Sequence, residues 1–179
     1  MGKSAKLPIV FLDRDGTIIV DKVYLNNPDE VEFIDGVIDG LKKLVKARYK
    51  LVIVTNQSGV SRGLVQVENL YAIHDRICKE LRRFGVEIFK IYYCPHLPED
   101  NCGCRKPKTG MIKEIESLID KENSYVIGDK QTDIGFGKNL GIKTILISAD
   151  EISKDLNYVA DFVVKNFVEA VNIVLGKKK

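Results

Sequence analysis

The sequence predicts an α/β domain whose parallel sheet is covered by helices. Short apolar runs rich in β-formers alternate with amphipathic stretches along the whole chain, which is the pattern of repeated βα units. The runs lack polar and apolar alternation, as expected of strands buried on both faces. With 179 residues, 45% of them hydrophobic and 30% charged, the chain has apolar material for one sizeable core. The expectation is a single domain over 1–179 with a disordered basic tail at 176–179.

The first strand is expected over Ile9 to Leu12 and stops where Asp13 opens a polar run. Val37, Ile38, Leu41, Leu44 and Val45 then share one helical face, and Leu51 to Thr55 form the second strand. A second helix carries Val67, Leu70, Tyr71, Ile77, Cys78, Leu81 and Phe84 on one stripe, followed by a strand at Ile88 to Tyr93. Met111, Ile112, Ile115, Leu118 and Ile119 make a third helical stripe, and Ser124 to Ile127 a fourth strand. The next helix runs from near Thr132 to Gly141, a C-cap glycine, and leads to a strand at Thr144 to Ile147. A weak strand at Asp161 to Val164 and a helix through Phe167, Val171 and Val174 close the chain.

Several classes of function are disfavoured by composition. The formal charge is +3, from 28 basic and 25 acidic residues, and Lys177, Lys178 and Lys179 account for it. A near-neutral body gives no support to a nucleic-acid or membrane partner. No apolar run approaches a membrane span of about 18 residues. Leu7 to Leu12 is interrupted by Pro8 and cannot serve as a secretory core, and Gly2 lacks the Ser or Thr that a myristoylation motif needs where Lys6 stands. A cytoplasmic monomer is the expectation.

Ligands of open parallel sheets bind beyond the carboxyl ends of the strands, and those ends are unusual here. Asp13-Arg14-Asp15-Gly16-Thr17 follows the first strand, Thr55-Asn56-Gln57-Ser58-Gly59 closes the second, Cys104-Arg105-Lys106-Pro107 precedes the third stripe, and Gly128-Asp129-Lys130 follows the fourth strand. Carboxylates this close repel one another unless a cation sits between them. Asp13, Asp15 and Asp129 together offer Mg²⁺ the hard oxygen ligands it prefers, with Thr55 and Lys106 supplying a hydroxyl and a positive charge. Such a set suits a phosphoryl group. Each piece alone is an ordinary turn or cap, and the joint order carries the inference.

Cys94, Cys102 and Cys104 lie within eleven residues, with His96 among them. Cys102 and Cys104 are too close in sequence for an ordinary disulfide. Three thiolates and one imidazole match a closed tetrahedral Zn²⁺ site of structural type. His74 and Cys78 fall on the apolar stripe of their helix and read as packing residues.

Asp13-Arg14-Asp15-Gly16-Thr17, Thr55-Asn56, Lys106 and Gly128-Asp129 with Asp133 close behind resemble the four motifs of the haloacid dehalogenase superfamily of phosphatases, over roughly residues 8 to 165. The resemblance implies a three-layer, Rossmann-like, doubly wound sheet and an aspartyl-phosphate mechanism. Asp13 would be the nucleophile and Asp15 the general acid and base. Asp13, the Asp15 main-chain carbonyl and Asp129 would hold Mg²⁺, and Thr55 and Lys106 would bind the transferring group. The spacing between motifs leaves no room for a lid domain. Substrate selection then falls to Asp21, Lys22 and Tyr24 in the first loop, to Asn56, Gln57, Ser58 and Arg62 in the second, and to Arg105 and Lys130.

Within the superfamily the cysteine cluster resembles a zinc-containing lidless group that holds heptose 1,7-bisphosphate 7-phosphatases and histidinol-phosphate phosphatases. The run Asn56 to Gly63 and the Pro107…Gly110-Met111 continuation look like the heptose enzymes, whereas Cys94 to Asp100 and Asn123 to Asp129 look like the histidinol-phosphate enzymes. Lys22-Val23-Tyr24 stands where heptose enzymes often carry His-Gly-Tyr. The heptose bisphosphate is the favoured substrate, with histidinol phosphate the alternative. A DNA 3′-phosphatase and a nucleic-acid-binding zinc knuckle are the remaining readings. The first lacks the basic stripe and the second leaves the aspartates without a purpose.

Overall fold

The computed structural model describes residues 6–148 and 159–176. Its sheet has six parallel strands in the order β3-β2-β1-β4-β5-β6. These are β1 (Ile9–Leu12), β2 (Lys50–Asn56), β3 (Lys90–Cys94), β4 (Tyr125–Gly128), β5 (Lys143–Ile147) and β6 (Phe162–Val164). The helices are α1 (Val37–Lys46), α2 (Val67–Arg83), α3 (Gln131–Leu140) and α4 (Phe167–Val174). The chain moves outward from β1 through β2 to β3, then returns to the other side of β1 to build β4 and onward. β1 and β4 therefore flank the reversal of strand order, where ligands of doubly wound sheets bind.

The two sheet faces bury different residues, which explains the unbroken apolar runs. In β1, Val10 and Leu12 pack with Leu41, Leu44, Ile73, Ile77 and Phe167 from α1, α2 and α4. Ile9 and Phe11 face the other way, against Phe136 and Leu140 of α3 and Ile112, Ile115 and Ile119. Phe11 and Phe136 meet edge to face at 5.7 Å between ring centroids. All four β1 side chains are fully buried. Gly141 ends α3 in the left-handed conformation, φ 70°, as its position in the sequence predicted.

One expected element takes a different form. The third helical stripe is a pair of short 3₁₀ turns, Gly110–Ile112 and Glu116–Leu118, joined by a turn rather than a regular α-helix. The chain there is held by i→i+3 bonds, Ile115 N to Ile112 O at 2.9 Å and Leu118 N to Ile115 O at 2.9 Å. Ile112, Ile115 and Leu118 are spaced by threes, which aligns side chains in a 3₁₀ turn as well as α-spacing would. Among the described residues, the segments between β1 and α1 and between α2 and residue 106 carry loops, 3₁₀ turns and β3, and no lid domain. Lys177, Lys178 and Lys179 of the expected basic tail lie outside the described residues.

Candidate active site

The carboxyl ends of β1, β2 and β4 converge on one acidic centre. Asp13 follows β1 directly, and its N–H still donates to Ile127 O of β4 at 3.1 Å, so its carboxylate is held by the sheet. One carboxylate oxygen from each of Asp13, Asp129 and Asp133 lies within 4.8 Å of the others. Two glycines allow this approach. A Cβ on Gly16, which sits at φ 81°, would fall on the Asp129 carboxylate, and one on Gly128 would fall on that of Asp133.

Lys106 is the cation built into the centre. Its Nζ lies 2.8 Å from Asp13 Oδ1, 2.6 Å from Asp133 Oδ1 and 2.7 Å from Val54 O, with the side chain 2% exposed. Burial works against its charge, but Asp13 and Asp133 outweigh it and hold its pKa above the ordinary lysine value. Asn56 fixes the Lys106 backbone from the end of β2: Lys106 N–H donates to Asn56 Oδ1 at 3.0 Å and Asn56 Nδ2 donates to Lys106 O at 3.2 Å.

Lys106 alone does not balance three carboxylates, and the half-exposed Lys130, 4.0 Å from Asp129, offsets Asp129 only in part. Burial, and next the Asp13 charge, push Asp129 up to about 7 and Asp133 up to about 6. This is the electrostatic condition that a divalent cation relieves, and the donors are all hard oxygens. The residues present therefore fit Mg²⁺.

The Asp15 carboxylate stands apart from that cluster. The Arg14 fork holds it through Nε and Nη2, with distances of 2.8 to 3.2 Å to both oxygens. Gln57 Nε2 donates to Asp15 Oδ2 at 2.8 Å and to Thr55 Oγ1 at 2.7 Å, while Gln57 Oε1 accepts from Arg14 Nη2 at 3.0 Å. Arg14 Nη1 reaches His74 Nε2 at 3.2 Å. Burial and the Arg14 charge bring His74 down to about 3, so the ring is neutral and Nε2 is the acceptor.

The buried neutral His74 sets a pH dependence of stability. Its folded pKa lies below the ordinary 6.5, so its contribution is complete above pH 6.5 and is lost as pH falls towards 3. At pH 5 the loss amounts to about 2 kcal/mol relative to pH 8. Urea unfolding of His74→Gln at both pH values should show that much less acid sensitivity than the unsubstituted protein, and equal sensitivity would contradict it.

A cavity of about 420 Å³ opens over this centre. Asp13, Asp15, Thr55 and Lys106 form part of its wall, together with Asp21, Tyr24, Asn56, Ser58, Arg105 and Lys130 from the loops around it. Lys130 Nζ pairs with Asp21 Oδ2 at 3.1 Å. Three residues grouped with the substrate contacts on sequence lie outside this wall. Gln57 is buried behind it in the Arg14 network, Lys22 pairs with Glu32 at 3.4 Å, and Arg62 stays exposed in the loop before α2. Arg14 and Asp133 are the residues that sequence reasoning passed over as site groups. A basic residue between two aspartates at a buried strand end was the available signal for Arg14.

Cys94, His96, Cys102 and Cys104 form a second cluster beside the cavity, with ligand atoms within 4.8 Å of one another. His96 Nδ1 lies 3.2 Å from Cys104 Sγ, and the sulfur separations are 3.3 to 3.5 Å. These are far beyond a disulfide bond and near the roughly 3.5 to 3.8 Å edges of a tetrahedron with zinc bond lengths. Burial pushes the Cys94 thiol up to about 12. At Cys102, N–H donation by Arg105 and the neighbouring thiols overcome burial and bring the thiol down to about 6. The residues fit zinc. Arg105 Nη1 donates to His96 O at 3.1 Å, which ties the cavity wall to this cluster.

A family profile described as polynucleotide kinase 3 phosphatase matches residues 8–162. The chain belongs to that family. Curated relatives of this polynucleotide kinase 3 phosphatase family member include the D-glycero-beta-D-manno-heptose-1,7-bisphosphate 7-phosphatases of Escherichia coli and Pasteurella multocida. The first is 36% identical, covering 100% of this chain and 98% of the relative, and the second 38%, covering 94% and 97%. Among solved structures, a D,D-heptose 1,7-bisphosphate phosphatase from B. bronchiseptica complexed with magnesium and phosphate aligns with a TM-score of 0.82. It is 27% identical and covers 96% of this chain and 100% of its own. A had-like phosphatase from Mesorhizobium loti aligns with a TM-score of 0.80 at 28% identity, covering 97% and 86%. The fold of this family member is haloacid dehalogenase-like.

Proposed function

We propose that the chain is a Mg²⁺-dependent phosphatase that removes the 7-phosphate of D-glycero-β-D-manno-heptose 1,7-bisphosphate through a covalent intermediate on Asp13. The observation that carries the chemistry is the Asp13–Lys106–Asp133 triad with Asp129 beside it at the β1/β4 reversal. Full-length similarity to enzymes named for this heptose supports the substrate. No helix among the described residues is long and apolar enough to cross a membrane.

The Asp13 oxygen forms a bond to phosphorus while the bond to the sugar oxygen breaks with its electron pair. Asp15 gives that oxygen a proton. In the second half Asp15 takes a proton from water, the water oxygen bonds to phosphorus, and the Asp13 oxygen recovers its electrons as phosphate departs. Thr55 Oγ1 and Lys106 Nζ hold the equatorial oxygens. Asp13, Asp129 and the Asp15 main-chain carbonyl would hold Mg²⁺, which when bound neutralises the charge that keeps a carboxylate from a phosphate dianion. Arg105 and Lys130 on the cavity wall offer the second phosphate a fork and a point charge.

Turnover of the heptose bisphosphate, histidinol phosphate and a 3′-phosphorylated oligonucleotide by the purified protein tests the assignment. The heptose substrate should give the highest kcat/KM. A preference for either of the others would replace it.

Zn²⁺ in the cysteine cluster has a structural role in this reading, because all four ligands come from the protein. Cys102→Ser should lose bound zinc, melt at a lower temperature and raise KM by releasing the Arg105 loop. Zinc content by atomic absorption, with a thermal melt, checks it. An unchanged metal content would show that the ligand set is wrong.

A further inference from the structure

The Arg14 network has no part in the proposed reaction beyond touching Asp15, yet it is a buried polar assembly next to the cavity. Arg14 is 1% exposed, Thr55 1%, and Gln57 and His74 8% each. Four donors of the guanidinium have named acceptors: two go to Asp15, one to Gln57 and one to His74. Among the described residues no other charged side chain is in hydrogen-bond contact with Arg14 or Asp15, so this support does not draw on the Asp13 cluster. His74, as an acceptor, sets the roll of the guanidinium about its stem, and Gln57 can be oriented only one way, since its oxygen faces Arg14 and its nitrogen faces both Asp15 and Thr55.

The Asp15 carboxylate is therefore gripped from behind on both oxygens while still facing the cavity. No lid among the described residues brings a proton donor to the cavity, and Asp15 is held from within the core instead. We infer that Arg14, seated by His74 and Gln57, is the positioning residue that aims Asp15 first at the leaving oxygen and then at the attacking water. Gln57 also joins this device to the Thr55 hydroxyl, so the group that moves the proton and a group that holds the phosphoryl share one rigid support.

This inference rests on the role proposed for Asp15, and the leaving group separates the two. A sugar alkoxide needs a proton to leave, whereas p-nitrophenolate does not. Hydrolysis of the Asp13 intermediate needs Asp15 for either substrate. In Arg14→Met, turnover of the heptose bisphosphate should fall by about 100-fold. The first turnover of p-nitrophenyl phosphate should keep its rate within about tenfold of the unsubstituted protein, release a burst of nitrophenolate near one equivalent, and leave phosphate trapped on the protein after acid quench. Asp15→Asn, run in parallel, should show the same pattern more strongly. If Asp15→Asn shows that selectivity and Arg14→Met slows both substrates equally with no burst, Arg14 is only structural and the inference fails. If Asp15→Asn itself lacks selectivity, the role of Asp15 is wrong and the inference falls with it. Should Arg14→Met not fold, Gln57→Leu carries the same prediction with a loss of about tenfold on the sugar substrate, and its absence is equally decisive.

Discussion

Replacing Asp13 by Asn should lower turnover by at least about 10⁴-fold while leaving the melting temperature unchanged or raised. The activity loss follows from chemistry: an amide oxygen is a far poorer nucleophile than a carboxylate and carries no charge to pass to the departing group. The stability follows from electrostatics. Asp13 is 4% exposed and is, after burial, the main cause of the upward shift at both Asp129 and Asp133. Removing its charge relieves two like-charge repulsions, and Lys106 keeps Asp133 at 2.6 Å. Steady-state phosphate release and a thermal melt measure the two arms. Turnover within tenfold of the unsubstituted protein would remove Asp13 from the role of nucleophile. A large drop in melting temperature would mean that Asp13 is needed to hold Lys106 in the core.

Much of this site is legible in the sequence because local rules placed it. The apolar runs ending in Asp13, Asn56 and Gly128 mark strands buried on both faces, and a parallel sheet obliges their carboxyl ends to lie on one side. The metal-ligand spacing of Cys94, His96, Cys102 and Cys104 is equally local. The Arg14 network was not legible, since its members come from the ends of β1 and β2 and from α2, and their hydrogen bonds exist only after those elements pack. Gln57 shows the same limit. Its residue type suits a substrate contact, but in the structure it lies behind the wall, whereas Asn56 stays in the wall while its amide pairs with the Lys106 backbone. Asp133 caps α3 by accepting from Lys130 N at 3.0 Å, an ordinary task for an aspartate at that position, which hid its second contact with Lys106. The stripe at 111–119 had an apolar spacing compatible with two helical periods, and only the i→i+3 bonds of the folded chain separate them.

Lys106→Met should cost about 3–5 kcal/mol of stability and, in the fraction that remains folded, about 10²–10³-fold in kcat. Methionine fills a similar volume, so the loss is electrostatic rather than a cavity. The variant leaves Asp13 and Asp133 facing each other in a closed space with no cation between them, and it removes the donor to Val54 O. Arginine is no substitute, since its planar fork needs more room than a side chain at 2% exposure leaves and cannot place one point charge between two carboxylates. The two losses have different origins, and a second substitution separates them. Lys106→Met combined with Asp133→Asn removes both the cation and the carboxylate that depends most on it, so urea unfolding should show much of the stability restored. Turnover should stay down, because the double variant still offers no positive charge to the transferring phosphoryl oxygens. Recovery of activity together with stability would mean that Lys106 serves the fold alone. Failure of the double variant to regain stability would mean that the packing of the lysine stem, and not its charge, holds this corner of the sheet.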